Sequence, residues 1–464
     1  MSDPGKAGLL PVAELPSARP TWVRWRIVML LMAYSAMCHF NRISMSVAGN
    51  ERIRTQYGFE DITIGWIYFA YLIAYTLCMT PGGWLIDRWG PKAALAAMGF
   101  GSAIFVVLTG LSGLVFTTPV LLLVFLLLIR SLMGIANAPM HPAAARAVSF
   151  WIPFPDRTRA NGLVTGAACV GIACTYVIFG FLIDEFGWPK AFLIAGIATA
   201  ALAALWQIYA TDRPTGHRSV NGEEARIIEP AIAGGKADER ISVSNGLSDA
   251  AKDAGRKGSE LVKPLSLLRN RSLVLLTLSY AAVGYFQYLF FYWMERYFGV
   301  VLHLNEETSR FFSTICTLAM GVGMVLGGWL GDRAQGKFGI RRGRRLVPMA
   351  GLLGSAVFLG LGLLGGYAMW VVFCFGWAMG CVGAAEGPSW NTAVELGGRR
   401  GGAAAGIFNT GGNILGALST VLTPFLSQSE SLGWRWGFAL AGFICLAGAL
   451  LWLWIDPSER IAET

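Results

Sequence analysis

The 464-residue chain reads as an all-α membrane protein, with twelve transmembrane helices in two pseudo-symmetric six-helix bundles. Three observations predict this. The chain is 55% hydrophobic and only 14% charged, where a soluble protein carries about 25% charged residues. The apolar residues fall in long stretches separated by short charged clusters, and about 20 apolar residues cross a hydrocarbon layer of about 30 Å. Finally, the second half repeats landmarks of the first at a nearly fixed offset.

The spans are expected near 24–47, 62–85, 93–113, 117–144, 160–183, 189–210, 272–297, 309–331, 346–364, 367–393, 402–426 and 435–455. They are numbered here as spans 1 to 12. Connections are short except for 211–268, which is rich in charge, Gly and Ser and lacks apolar periodicity. That composition predicts a flexible linker. The chain thus divides into an N-terminal bundle (1–210), a cytoplasmic linker (211–268) and a C-terminal bundle (269–464).

Orientation follows the Lys/Arg bias of the short loops. With the N-terminus cytoplasmic, the cytoplasmic loops carry 13 basic residues: Arg88, Lys92, Arg146, Arg157, Arg159, Arg333, Lys337, Arg341, Arg342, Arg344, Arg345, Arg399 and Arg400. The opposite ends carry 6: Arg52, Arg54, Lys190, Arg296, Arg310 and Arg435. Both termini are therefore expected in the cytoplasm, as an even span count requires, and the chain in the cell (inner) membrane.

The repeat is specific. Gly82-Gly83-Trp84-Leu85-Ile86-Asp87-Arg88 returns as Gly327-Gly328-Trp329-Leu330-Gly331-Asp332-Arg333, offset by 245. Gly134 and Pro142 match Gly380 and Pro388 at 246, as Gly187-Trp188 matches Gly433-Trp434. A parallel repeat of six helices places a binding site near the midplane, between the halves.

Other classes are poorly supported. The net charge of +9 sits at span ends rather than on a solvated face with interleaved aromatics, so nucleic acid is not an expected partner. The eight cysteines lie in apolar stretches without a CxxC pair, as small packing residues do. The polar, Pro-rich first 20 residues predict no cleavable leader. No GxSxG, phosphate loop or HExxH occurs, so neither an enzyme, a cofactor nor a metal site is expected.

Gly83-Trp84-Leu85-Ile86-Asp87-Arg88-Trp89-Gly90-Pro91-Lys92 resembles the loop signature GxLxDRxGxK of the major facilitator superfamily, in its expected place between spans 2 and 3. A narrower resemblance covers most of the chain. Cys38 to Ala48, with Asn41-Arg42, is similar to the first-helix pattern NYxDRxxLSxA of the anion:cation symporter family. Tyr75 with Pro81-Gly82-Gly83-Trp84 resembles its second helix. Arg130, Gly134 and Asn137 to Ala143 resemble its RxxxGxxEAPxFPA, Trp151, Pro153 and Arg157 its WFPxxER, and Phe286 to Tyr297 its aromatic seventh helix. That family imports sugar acids and other organic anions, or exports glutamate and sialic acid in animals. Two departures matter. The carboxylates linked to proton coupling in relatives are Asn41 and Asn137 here, and an amide exchanges no proton near neutral pH. The resemblance implies an anion pathway more firmly than proton symport.

Charge inside a span costs about 2.5–3.5 kcal/mol on insertion scales and usually faces a cavity or partner. Arg42 in span 1 and Arg130 in span 4 can each hold a carboxylate bidentately; alternatively they pair structurally or reach an interface. Glu386 in span 10 is the carboxyl placed deep in an apolar span, suited to carrying a proton or to pairing structurally. His141, one turn after Asn137, and His39, near Asn41, can replace lost carboxylates in coupling or serve packing. With Arg42 and Arg130, the expected substrate-binding residues are Tyr75, Asn41, Asn137, Gln287, Tyr288, Asn409 and Asn413, and Tyr34, Tyr71, Tyr285, Tyr292, Trp390 and Asn391 are further polar groups able to meet substrate hydroxyls. Asn409 and Asn413 lie one turn apart.

By resemblance, Asp87, Arg88 and Lys92 gate the cytoplasmic side, the Asp meeting the N-terminal end of span 11 and an Arg for which Arg146 is the candidate. Asp332 and Arg333 do so in the second half. Gly162, Gly166, Gly171, Gly406, Gly411 and Gly412 are expected to permit close helix approach.

The resulting expectation is a monomeric secondary active transporter. It moves a small organic anion, a sugar acid or other carboxylate, by alternating access, with protons as candidate coupling ions. The alternatives are a facilitative or exchange carrier of neutral or cationic solutes and a non-transporting sensor.

Overall fold

In the computed structural model the described residues are 19–228, 264–398, 401–428 and 430–458. Residues 229–263 of the expected linker, Arg399, Arg400 and the side chain of Asp87 lie outside them. Among the described residues there is helix and no strand.

Nine described helices are long and apolar enough to cross a membrane. One of them, Glu306–Leu364, is 59 residues long; at 1.5 Å per residue it crosses twice. It breaks at Gly339, where φ is 76°, and so holds spans 8 and 9. Two further helices, Val23–Ala48 (span 1) and Gly401–Leu426 (span 11), carry polar residues that lower their hydropathy. Together these make the twelve. The remaining spans are Asp61–Met79 (2), Arg88–Val115 (3), Pro119–Trp151 (4), Arg159–Phe186 (5), Trp188–Tyr209 (6), Arg271–Val301 (7), Ala368–Gly397 (10) and Gly433–Leu451 (12).

The break between spans 2 and 3 falls at Gly90, with φ 80°, just before Pro91. A Cβ there would sit 2.8 Å from Asp212 Oδ1, whose carboxylate accepts the Lys92 backbone N–H at 2.9 Å. Gly90 and Gly339 thus turn equivalent helix pairs in the two halves. The expected helix at 117–144 is interrupted before Met140 by Pro139. Span 1 runs past its expected end through a π-turn at Gly49–Ile53 to Tyr57, and span 5 contains a π-turn at Thr175–Phe179.

Packing repeats with the sequence. Spans 1 and 5 pair as 7 and 11 do, 2 and 4 as 8 and 10, and 3 and 6 as 9 and 12. Some crossings need glycine. A Cβ at Gly171 would lie 2.1 Å from the Ala36 carbonyl oxygen, and one at Gly284 2.0 Å from that of Gly412. Gly411 and Gly412 also pack closely, whereas a Cβ at Gly162, Gly166 or Gly406 meets nothing within 4 Å, so those three do not serve helix approach. Large apolar side chains cover the outside, with Val325 75% and Ile208 84% exposed, the pattern of a chain whose surroundings are lipid.

The start of the expected flexible linker is packed. Ile228 and Glu224 are fully buried. Glu224 accepts the backbone N–H groups of Trp22 and Arg24 and pairs with the Arg24 guanidinium at 2.8 Å. Residues 211–228 therefore cap the start of span 1, because a buried carboxylate there satisfies the orphan N–H groups of that helix end.

Spans 2 and 11, 5 and 8, and 1 and 7 join the halves. The face carrying the Gly90 and Gly339 breaks is called here the terminal face, since residues 19 and 458 also lie there; the other is the far face.

Candidate substrate site between the halves

Arg42 stands where spans 1 and 7 meet, two turns below the end of span 1. Its Nε donates to the Tyr292 hydroxyl at 3.1 Å, from the opposite half. Its guanidinium lies 4.4 Å from the Tyr288 ring centroid, with Tyr71 at 5.7 Å and Tyr75 at 6.0 Å. The residue is 6% exposed, and its Nη2 is buried with no hydrogen-bond partner. Among the described residues neither Arg42 nor Arg130 makes an ion pair. The aromatic faces partly compensate this buried cation, which keeps one donor unused.

Arg130 does different work. It donates to the carbonyl oxygen of Arg42 at 3.0 Å and to that of Asn41 at 3.4 and 3.5 Å, and it lies against the Tyr71 ring at 5.4 Å. It is 1% exposed. The two arginines therefore sit together, but Arg130 binds the backbone of span 1 directly beneath Arg42.

The two amides that stand where relatives of the resembled family carry carboxylates are fully buried in the N-terminal half. Asn41 donates to Thr199 Oγ1 at 2.8 Å, in span 6, and Asn137 donates to the Tyr71 hydroxyl at 3.0 Å. Asn137 thereby fixes the ring that faces Arg42. Tyr75 stacks parallel to Tyr71, with an interplanar angle of 7°.

The C-terminal half supplies two polar groups. Glu386 accepts from Gln287 Nε2 at 2.6 Å and from the Tyr280 hydroxyl at 3.4 Å. Trp390 Nε1 donates in turn to that hydroxyl at 3.0 Å. The Tyr288 hydroxyl donates to Asn413 Oδ1, and Asn413 Nδ2 donates to the carbonyl and side-chain oxygens of Asn409 at 2.9 and 3.1 Å. Asn409 and Asn413 also reach Met79 of span 2, whose sulfur lies 3.6 and 3.8 Å away. These residues join the halves on the terminal side of Arg42.

His39 and His141 face each other, ring centroids 5.5 Å apart, with His39 Nδ1 donating to the Ser35 carbonyl at 2.9 Å. Tyr34 packs on Trp206, away from Arg42, and Asn391 is exposed. On the terminal face Arg146, Asp332 and Arg333 are exposed. Arg146 lies over Phe150, and Arg333 lies 3.7 Å from the Trp329 centroid. Lys92 contributes its backbone to the Asp212 cap.

The far face is closed by charge. Arg310 of span 8 pairs with Glu51 of span 1 and Asp184 of span 5. Arg52 pairs with Asp184 at 2.9 Å and Glu306 at 2.7 Å, and Arg296 with Asp61 at 3.2 Å. Sequence reasoning counted these arginines only for orientation. No sequence spacing links them, and each half carries both signs at its far-face span ends. Carboxylate oxygens of Glu51, Asp184 and Glu306 lie within 4.8 Å of one another, but guanidinium groups already hold them.

Two helical halves packed around a buried aromatic-lined cation, with apolar spans outside and one face closed by ion pairs, are the architecture of a multi-pass membrane transporter. The chain belongs to the Major Facilitator Superfamily, whose family model matches residues 28–420 and 336–464. It is 27% identical over 472 residues to an ascorbate transporter of Arabidopsis thaliana chloroplasts, spanning 100% of this chain and 81% of that one. It is also 27% identical to a probable galactarate/D-glucarate transporter of Bacillus subtilis, over 96% and 95% of the two chains. A probable sulfoacetate transporter of Cupriavidus necator is 26% identical, over 93% of each. Among solved structures, a bacterial homolog of the human lysosomal transporter Spinster superposes with TM-score 0.71 at 14% identity, over 96% of this chain and 99% of that one. The inward-open xylose transporter of Escherichia coli gives TM-score 0.71 at 14% identity, over 95% and 98%.

Proposed function

We propose that the chain carries a small organic anion, a sugar acid or other carboxylate, across the cell (inner) membrane by alternating access of its two halves. The observation that carries this is Arg42, a buried guanidinium at the junction of the halves with no acidic partner among the described residues and an unused Nη2. A substrate carboxylate supplies the missing charge and takes the free donor. The relatives named as transporters of ascorbate, galactarate/D-glucarate and sulfoacetate support an anionic cargo.

In this reading Tyr75, Tyr288, Gln287, Asn409 and Asn413 meet the uncharged part of the substrate, while Asn41, Asn137 and Arg130 hold span 1 and Tyr71 in place around Arg42. Glu386 is the foremost proton-coupling candidate, since its donors Gln287 and Tyr280 come from span 7, which also carries the Arg42 partners. His141 and His39 are the second candidates. Asp87, Arg88, Lys92, Arg146, Asp332 and Arg333 gate the terminal face, which is cytoplasmic. The halves are 1–210 and 269–464, and the carrier works as a monomer.

The test is uptake in proteoliposomes with an imposed pH gradient, after a thermal-shift screen. Sugar acids and simple carboxylates stabilise the protein while amines do not, and an inward proton gradient drives accumulation. Stabilisation by amines alone refutes the anion reading, and absence of gradient-driven accumulation refutes symport.

A further inference from the structure

The far-face latch contains a group that its ion pairs do not use. Four carboxylates, those of Glu51, Asp61, Asp184 and Glu306, face four guanidiniums, those of Arg52, Arg54, Arg296 and Arg310. The set is balanced without Glu295 of span 7, which lies among them and is 5% exposed. Both of its carboxyl oxygens are enclosed and without a hydrogen-bond partner.

The charged and titratable neighbours come from every packed span. Glu51 of span 1 stands beside Glu295, and Glu51 is itself held by Arg310. From span 8, Arg310 spends its nitrogens on Glu51 and Asp184, and Glu306 takes Arg52. From span 2, the Tyr68 hydroxyl donates to the Ser46 carbonyl at 3.2 Å. From span 5, the Tyr176 hydroxyl donates to the Phe291 carbonyl at 2.8 Å. On span 7 itself, Arg296 is turned to Asp61 and Tyr292 receives Arg42. The Glu51 carboxyl lies within hydrogen-bonding reach of Glu295, and no N–H or hydroxyl of the described residues donates to it. A cavity of about 140 Å³ adjoins it, lined also by Glu51, Arg54 and Glu306.

We propose that Glu295, beside Glu51, is a proton-binding site that fills when the far face closes, making closure of that face proton-linked. An ionised carboxylate enclosed without a donor is far costlier than a neutral one, and neutral Glu295 leaves the latch at four charges of each sign. When the halves part on this side, the carboxyl meets water and Arg310 is released from Glu51, so the proton departs to the same side. It sets which way the empty carrier faces and is not itself carried across. The inference goes beyond the anion site and rests only on the reading that the far face opens in the cycle.

The sign is definite. The closed state binds one more proton than the open state, so acid favours closure and alkali favours opening. The equilibrium changes by up to tenfold per pH unit between the titration points of the two states.

Hydrogen–deuterium exchange of the full-length protein in lipid nanodiscs, between about pD 5 and pD 9 and corrected for intrinsic rates, reads this at residues 51–57 and 303–310. Wild type is expected to lose protection there as pD rises, approaching tenfold per unit over part of the range. Glu295→Gln is expected to stay protected with no such slope. Arg42→Ala, which removes the anion receptor, is expected to keep the wild-type slope, so failure of the anion reading and of the latch reading remain separable. A flat wild-type profile, or Glu295→Gln with the wild-type slope, overturns the proposal. So does Glu295→Gln that fails to fold, because a site holding a neutral carboxyl accepts its neutral isostere. Exchange that responds to replacing sodium with choline at fixed pD identifies a metal cation as the ligand and also overturns it.

Discussion

Replacing Arg42 separates a substrate ligand from a structural cation. Its guanidinium donates to the Tyr292 hydroxyl at 3.1 Å and lies against Tyr288, 4.4 Å from the ring centroid, with Tyr71 and Tyr75 farther off. Nη2 is left without a partner. A carboxylate seated on it adds charge-assisted hydrogen bonds of about 1.5–3 kcal/mol each. Taking about 3 kcal/mol for a forked pair, Arg42→Ala weakens substrate binding by about 150-fold. Arg42→Lys keeps the charge but not the fork, so about half of that is lost, roughly tenfold in affinity. The ligand-free melting temperature should hardly move in Arg42→Ala. The lost Tyr292 and Tyr288 contacts are worth about 1–2 kcal/mol, and removing a buried cation that lacks a counter-ion offsets them. The assay is thermal stabilisation against concentration of a sugar acid, with and without the substitution. An Arg42→Ala protein whose half-stabilising concentration stays within twofold of wild type refutes the argument.

Other outcomes follow from the same contacts. Glu224→Ala strips the acceptor from Trp22 N–H, Arg24 N–H and the Arg24 guanidinium, and is expected to cost about 3–5 kcal/mol. It should show as lost exchange protection at residues 19–26 and 214–228. Gly284→Ala forces a methyl to 2.0 Å from the Gly412 oxygen and should lower stability by about 1–3 kcal/mol in a melting experiment. Gly406→Ala, with open space around it, should be neutral or stabilise by up to about 1 kcal/mol through helix propensity. Glu386→Gln should abolish accumulation driven by a pH gradient in proteoliposomes; persistence of that accumulation places coupling elsewhere.

The spans were legible because each is a property of about 20 consecutive residues. The turns at Gly90 and Gly339 were legible because the repeated motif preceding each one fixes where a helix pair must reverse. Arg42 and Glu386 stood out because charge in an apolar run is rare. What lay beyond the sequence was which neighbour each polar group takes. Arg42 and Arg130 look alike as letters, and each keeps one buried donor open, yet Arg42 reaches across to Tyr292 of the other half while the terminal nitrogens of Arg130 are committed to main-chain oxygens of span 1. That difference depends on the crossing of spans 1 and 4. Residues 211–228 read as linker because their composition is polar, while the docking of Glu224 depends on helix ends supplied two hundred residues earlier. The latch was hidden for a similar reason, since its members come from spans 1, 2, 5, 7 and 8 and carry no shared spacing.

The grip of Arg130 on the carbonyls of Asn41 and Arg42 bears on how transport-loss phenotypes are read. A screen would score Arg130 as indispensable although it need never touch cargo, because losing it frees the segment that aims Arg42. The two substitutions should then be strongly epistatic. Once Arg42 is gone, deleting Arg130 as well has little affinity left to remove, and a double-mutant cycle would return a coupling nearly as large as the smaller single effect.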